Sequence, residues 1–395
     1  MRNRPPVQPE MPARLWRHGA VAILVFALGV VASGAGSVRP AAAQPGTTRP
    51  PALAQSQDSA LTQEQAAALA AYDKALRDFK AVLAERRGQI ERGERLPERP
   101  GQALYLARRE VMSSYKDLTD AVPGRIGRAN KFGIPPAYLD GAIEPLIDEY
   151  VALFNVMQAP PAGAQASATP FKDVADLGRA IARARGMDAA TVDAAGRISL
   201  GIFFAETNGN QNIGNARSDK YKGSFQTGVE EDRKGREAWA ALLPKVAAAD
   251  PAVAARDAKE TARVGAGDQR FNHWTGVRNG LMNAHAGLLG QLPEIMGVLP
   301  DPIDQMKLFQ LIQIVPSPTR AALKSGNLEA YRISDPRIMG YLRNNSILSF
   351  GKADRARESA TYREILDAMW LFTDKFERAR AAFAEIKAEE RRLAR

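Results

Sequence analysis

Apolar positions along this chain recur mostly three and four residues apart, the spacing of one helix face. Leu69, Tyr72, Leu76, Phe79 and Leu83 form such a stripe. Thr62 and Gln65 precede it at capping-box spacing, and Gly88, Gly93 and Pro97 end it. Leu104, Val111, Tyr115 and Leu118 predict a second helix over 102–119, with a turn at Pro123-Gly124. Pro135-Pro136 predict the start of a third, with Leu139, Ile143, Leu146, Tyr150, Phe154 and Met157 inward and a kink at Pro145. Further helices are expected over 173–185, stopped by Gly186, over 189–206, and over 236–248 around Trp239, Leu242, Leu243 and Val246. Shorter ones are expected near 276–296, 303–314, 319–323 and 336–342, whereas 249–270 is charged, Ala-rich and without a clear period. The tail over 360–395 carries Tyr362, Ile365, Met369, Phe372, Phe376, Ala379, Phe383 and Ile386. That pattern predicts one long amphipathic or coiled-coil helix, packed on the N-terminal helices and bridging the two halves. No Val/Ile-rich alternating run is present, so the expected class is all-α.

A chain of 395 residues accommodates two domains or one large helical one. The Pro/Ala/Gly/Ser run at 158–170 is the best boundary. The expected organisation is a leader at 1–43, a tether at 44–57, a helical region at 58–157, the 158–170 linker, a second domain at 171–350 and a C-terminal helix at 355–395. In the leader, Arg14, Arg17 and His18 precede an apolar run over 20–31, and small residues lead to Ala41-Ala42-Ala43. This reads as a secretory signal peptide and places the protein in the periplasm. An inner-membrane anchor is the alternative, but the run falls short of the ~20 residues of a membrane span. There is no cysteine, which excludes disulfides, thiolate metal sites, thiol nucleophiles and a lipoprotein anchor. Of the net charge of +10, residues 1–43 hold +4 through five Arg and one Glu. The remainder is modestly basic, which suits an anionic polymer; no clustered basic-aromatic module argues for nucleic acid.

The chemistry concentrates over 198–228. The apolar segment ending Phe203-Phe204-Ala205 runs straight into Glu206. A carboxyl buried at a helix end has a raised pKa, which a general acid needs near neutrality. The plainer alternative is a helix-end Glu paired with an Arg or facing solvent. A loop with Gly209-Asn210-Gln211-Asn212 follows and closes at Gly223-Ser224-Phe225-Gln226. Ser224, Gln226 and Asn210 are candidate substrate contacts. Equally, Gln226 caps the turn, and Asn210 and Asn212 hold the loop through Asx-type bonds. A two-carboxylate hydrolase needs a partner acid; Asp219, Glu230, Glu231 and Asp232 are candidates that no spacing singles out. Phe271-Asn272-His273-Trp274-Thr275-Gly276 reads either as a sugar-stacking wall or as a core Trp beside a loop. His273 and His285 are too far apart for a helical metal pair, so neither metal nor cofactor is expected. No phosphate loop, dinucleotide fingerprint or Gly-x-Ser-x-Gly elbow occurs.

At these residues the chain resembles the lytic transglycosylases and goose-type lysozymes of the lysozyme-like superfamily. Their pattern is an apolar helix ending in Glu-Ser or Glu-Thr, then Gly-Asn-x-Asn, then a Gly-x-x-Gln turn. Glu206-Thr207, Gly209-Asn210-Gln211-Asn212 and Gly223-Ser224-Phe225-Gln226 occupy those places in order. Gln211 stands where the family usually has Pro, and Asn283-Ala284-His285-Ala286-Gly287 lacks the Tyr of the family's Ala-Tyr-Asn-Ala-Gly. The resemblance implies a lysozyme-like helical domain in which Glu206 protonates the glycosidic oxygen between N-acetylmuramic acid and N-acetylglucosamine. Glu206 then acts as base while the 6-hydroxyl attacks, leaving a 1,6-anhydro product. The implied partner is a peptidoglycan glycan strand. The alternative is a non-catalytic exported helical protein that binds peptidoglycan or serves as an envelope scaffold, with a protein partner on its amphipathic helices.

Overall fold

A computed structural model describes residues 61–121, 128–129, 138–139, 143–218 and 220–395. The leader, the tether, Pro123-Gly124, Pro135-Pro136, Asp219 and the side chain of His285 lie outside the described residues. The chain is predominantly helical, with two two-stranded antiparallel ribbons among the described residues. No described helix is long and apolar enough to cross a membrane.

Helices α1 (Gln63–Glu91) and α2 (Gln102–Ala121) pack on each other, with Tyr72 and Tyr115 rings 5.5 Å apart. The capping box forms: Thr62 Oγ1 accepts from Gln65 N at 3.2 Å, and Gln65 Oε1 accepts from Thr62 N at 3.1 Å. Gln65 Nε2 then reaches Ala121 O at 3.1 Å, setting the start of α1 against the end of α2.

The third helix starts later than the apolar stripe predicts. Strand β1 (Arg128–Ala129) pairs with β2 (Tyr138–Leu139), so Leu139 sits in a ribbon, and α3 runs over Glu144–Met157. Pro145 does not kink it. It lies in the first turn, where its missing N–H leaves no carbonyl wanting and its fixed φ suits the helix. The 158–169 stretch is tied down across the molecule. Gln165 N donates to Phe271 O at 2.8 Å, His273 N donates back to Gln165 O at 2.9 Å, and the Gln211 amide brackets Ser167 N and O.

Helix α4 (Pro170–Arg183) leads into α5 (Ala189–Thr207), the centre of the fold. Asp188 starts α5 as its cap, accepting Thr191 N at 2.9 Å. Every residue of α5 from Ile198 to Thr207 is buried. α4 and α5 approach so closely at Gly178 that a Cβ there would collide with Ser199 Oγ and Ala195 O.

Next come α6 (Val229–Ala249) and α7 (Pro251–Val264). α7 occupies the stretch whose apolar pattern shows no period, because only Val253 and Asp257 face inward. Its signals are terminal instead: Asp250 caps Val253 N at 3.3 Å, Pro251 opens it and Gly265 stops it. Helix α8 (His273–Gly280), a π-helical turn over Leu281–His285, α9 (Ala286–Leu289) and α10 (Leu292–Val298) replace the single helix expected near 276–296. Helices α11 (Pro302–Ile314), α12 (Pro316–Ser325), α13 (Pro336–Asn344) and α14 (Gly351–Ala356) follow, with strands β3 (Arg332–Ile333) and β4 (Ala360–Thr361) paired antiparallel.

The tail is two helices, α15 (Tyr362–Ala368) and α16 (Trp370–Leu393), broken at Met369. Four apolar residues in a row, Met369 to Phe372, are too many for one stripe, and the break lets Met369, Leu371 and Phe372 all be buried. The buried face of α16, with Phe372, Phe376, Ala379 and Phe383, lies principally on α5, with α11 and α4 beside it. Its main partner is therefore the central helix, not the N-terminal pair. One contiguous apolar core runs from Tyr72 and Phe79 through Phe203 to Phe376.

Candidate functional site

Glu206 sits in the last turn of α5 and is 5% exposed. Burial pushes its carboxyl up to about 7, against the opposing pull of Lys375 and Gln310. The Gln310 amide is itself buried and closes no well-formed hydrogen bond with either of its polar atoms. It touches the carboxyl's electrostatics without saturating it.

Lys375 arrives from α16. Its Nζ donates to Ala205 O at 2.9 Å, and burial pushes the ammonium down to about 7, with Glu206 opposing. Three residues on, Arg378 donates to Asn208 Oδ1 at 2.7 Å and to Asn208 O at 3.3 Å. Its guanidinium lies 4.8 Å from the Phe204 ring centroid. Asn208 ends α5 in the left-handed conformation at φ 58°. Two cations of α16 thus satisfy carbonyls at the negative end of α5, where orphan C=O groups and the helix dipole both favour positive charge.

The loop after Glu206 turns its side chains inward. Asn210 Nδ2 donates to Thr207 O at 3.0 Å, and Asn212 Nδ2 to Gln165 O at 2.8 Å. Ser224 is fully buried; its Oγ accepts from Asn212 N at 3.0 Å and lies 3.0 Å from His273 Nδ1. The other imidazole nitrogen faces Pro170 O at 3.1 Å, so the ring proton belongs there and Nδ1 accepts. Burial pushes His273 down to about 4, which keeps it neutral. Gln226 Nε2 donates to Gly223 O at 2.9 Å and Gly214 O at 3.2 Å. Gly223, at φ 82°, has Arg270 O where a Cβ would stand. Phe225 stacks on Phe203 at 6.1 Å with the rings 7° from parallel. Ser224, Gln226 and Asn210, expected as substrate contacts, are therefore engaged with this loop's own backbone and with His273.

The other candidate acids have partners of their own. Glu230 pairs with Arg233 at 2.6 Å, Glu231 with Lys220 at 3.8 Å, and buried Asp232 accepts Asn279 Nδ2 at 2.8 Å. Trp274 is 2% exposed and donates Nε1 to Asp257 Oδ1 at 2.9 Å. It is a core residue, not a stacking wall. Two cavities, of about 260 and 320 Å³, flank the Arg256–Trp274 pair, one towards Ser167 and Glu260 and the other towards Arg179 and Asp250. Neither is lined by Glu206.

Lys375, Gln310 and Arg378 are the site residues that sequence reasoning missed. A signal existed for the first: Lys375 falls between Phe372 and Ala379 at helical spacing, so it interrupts an apolar stripe. Gln310 likewise stands inside the all-buried run from Gln305 to Ile312. The class these features define is a helical protein whose central buried helix ends in a buried acid, with a buried lysine of α16 on the carbonyl of the preceding residue. Comparison with protein-family models, with curated proteins and with solved structures gives no match.

Proposed function

We propose that this chain is an exported, non-catalytic helical protein of the cell envelope, a peptidoglycan-binding or scaffold protein. It carries a transglycosylase-like glutamate buried near a lysine of α16. The observation that supports this reading is Lys375, buried on Ala205 O beside Glu206. A proton donor has to come within hydrogen-bond reach of the glycosidic oxygen, and here α16 lies over it. The absence of the family's Tyr at His285 and the inward commitment of Ser224 and Gln226 point the same way. The charged outer faces of α1 and α16 are then the surfaces for an envelope partner.

A specific observation favours a second reading, a lytic transglycosylase-like enzyme covered by α16. Glu206 titrates near neutrality beside an amide with unused hydrogen-bonding capacity. Incubation with peptidoglycan sacculi separates the two. The first expects co-sedimentation with sacculi and no soluble muropeptides, from the wild type and Glu206→Gln alike. Anhydro-muropeptides from the wild type and none from Glu206→Gln would replace it with the second.

A further inference from the structure

Arg108, on α2, is 2% exposed, and its Nε and Nη1 are buried without a hydrogen-bond partner among the described residues. Its guanidinium lies 5.1 Å from the Tyr150 ring centroid. Tyr150 hydrogen-bonds Arg108 but does not neutralise it: burial pushes that phenol up to about 12, so it stays protonated. Beside it, half-buried Arg217 stacks 3.8 Å over the Tyr105 ring and donates Nε to Gln102 Oε1 at 3.3 Å. Arg108 and Arg217 feel each other's charge, and Arg108 also bears on Lys375. Two guanidiniums thus lie where the start of α2 meets the loop after Glu206, the two segments joined by Gly101 N to Ala216 O at 2.5 Å.

A guanidinium removed from water without an anion is costly. Buried Arg278 is treated differently: it has Asp257, Thr261, Gln269 and Asn279 on its nitrogens. We propose that Arg108, with Arg217 at the rim and Tyr105 and Tyr150 as aromatic walls, is a binding site for the oxyanion of a ligand, a carboxylate or a phosphate. Guanidinium N–H groups match both groups, and convergent cations make a neutral guest a poor one. Gln102 and Arg217, both partly exposed, are the members of this group nearest solvent. The site does not depend on the role given to Glu206.

Calorimetric titration of the full-length protein with inorganic phosphate and, separately, with citrate, at matched ionic strength, tests it and tells the two chemistries apart. Saturable binding is expected for at least one, weakened at least about tenfold in Arg108→Gln, the factor that one charge-assisted hydrogen bond carries. Arg108→Lys, which keeps the charge and loses the planar group, should fall between them. Arg108→Met, without ligand, should unfold no earlier than wild type, because it removes an uncompensated charge. No saturable binding of either anion, or equal binding by wild type and Arg108→Gln, overturns the proposal. So does early unfolding of Arg108→Met together with an absence of binding, which would make Arg108 a cation–π strut for Tyr150.

Discussion

Arg278 and Arg108 are buried to the same degree, 3% and 2% exposed, yet their surroundings are opposite. Asp257 accepts Arg278 Nη1 at 2.8 Å and both indole N–H groups, Trp239 at 2.8 Å and Trp274 at 2.9 Å. Thr261, Gln269 and Asn279 take the rest of Arg278. This knot joins α6, α7 and α8, and each of its polar groups has an answer. By contrast, Arg108 and Gln310 keep unused capacity among the described residues, and Lys375 and Glu206 are each held away from their ordinary titration range by burial. The first arrangement is what a buried charge looks like when it serves only stability. The second is under-satisfied, which is a cost, and such a cost is a reason to look for something bound or moved there.

The largest effect should come from breaking the satisfied knot. Asp257→Asn keeps the shape and removes the charge, leaving Arg278 uncompensated in the core; a loss of ~3–5 kcal/mol is expected from chemical denaturation. A loss under about 1 kcal/mol would mean that water reaches Arg278 and would dissolve the contrast with Arg108.

The next effect is a pH signature. Glu206 binds its proton more tightly when folded, so its contribution is present below about pH 4.5 and is lost as pH rises through about 7. Lys375 binds its proton less tightly when folded, so its contribution is present above about pH 10.5 and is lost as pH falls through about 7. Relative to Glu206→Gln/Lys375→Met, the wild type should show a stability minimum near pH 7, on the order of 2 kcal/mol deep. A difference that stays level between pH 5 and 9 would show that the pair is hydrated and that α16 does not seal it.

The smallest effect calibrates the scale at the far end of α5. Asp188→Ala removes a cap that bonds Thr191 N and should cost ~1 kcal/mol by thermal unfolding. It should do so without altering the pH minimum, because it lies at the opposite end of the helix from Glu206. A shifted minimum would mean that the two ends of α5 are not independent.

Much of the secondary structure was legible because it rests on local rules. The Thr62–Gln65 box, the stripe from Tyr72 to Leu83 and the apolar run into Glu206 form as their spacing predicts. α7 was hidden because a helix with two inward residues has no stripe, and Pro145 was misread because its effect depends on whether it falls in the first turn. The continuous pattern of the tail concealed the break at Met369, since periodicity cannot report that Met369, Leu371 and Phe372 all find cover. At the candidate site, Glu206 was legible from its apolar approach, but its neighbours Lys375 and Gln310 lie 169 and 104 positions further along the chain.

The sequence by itself determined that this is a helical protein, where its main helices cap and stop, and that an acid ends a strongly apolar helix. Those properties depend on residues within a turn or two of each other. Only the tertiary structure decided that the acid lies beneath α16 near a lysine, that Ser224 and Gln226 face inward, and that Arg108 is buried without an anion among the described residues. Desolvation and charge pairing depend on what the fold brings from distant segments, and no local pattern carries that information.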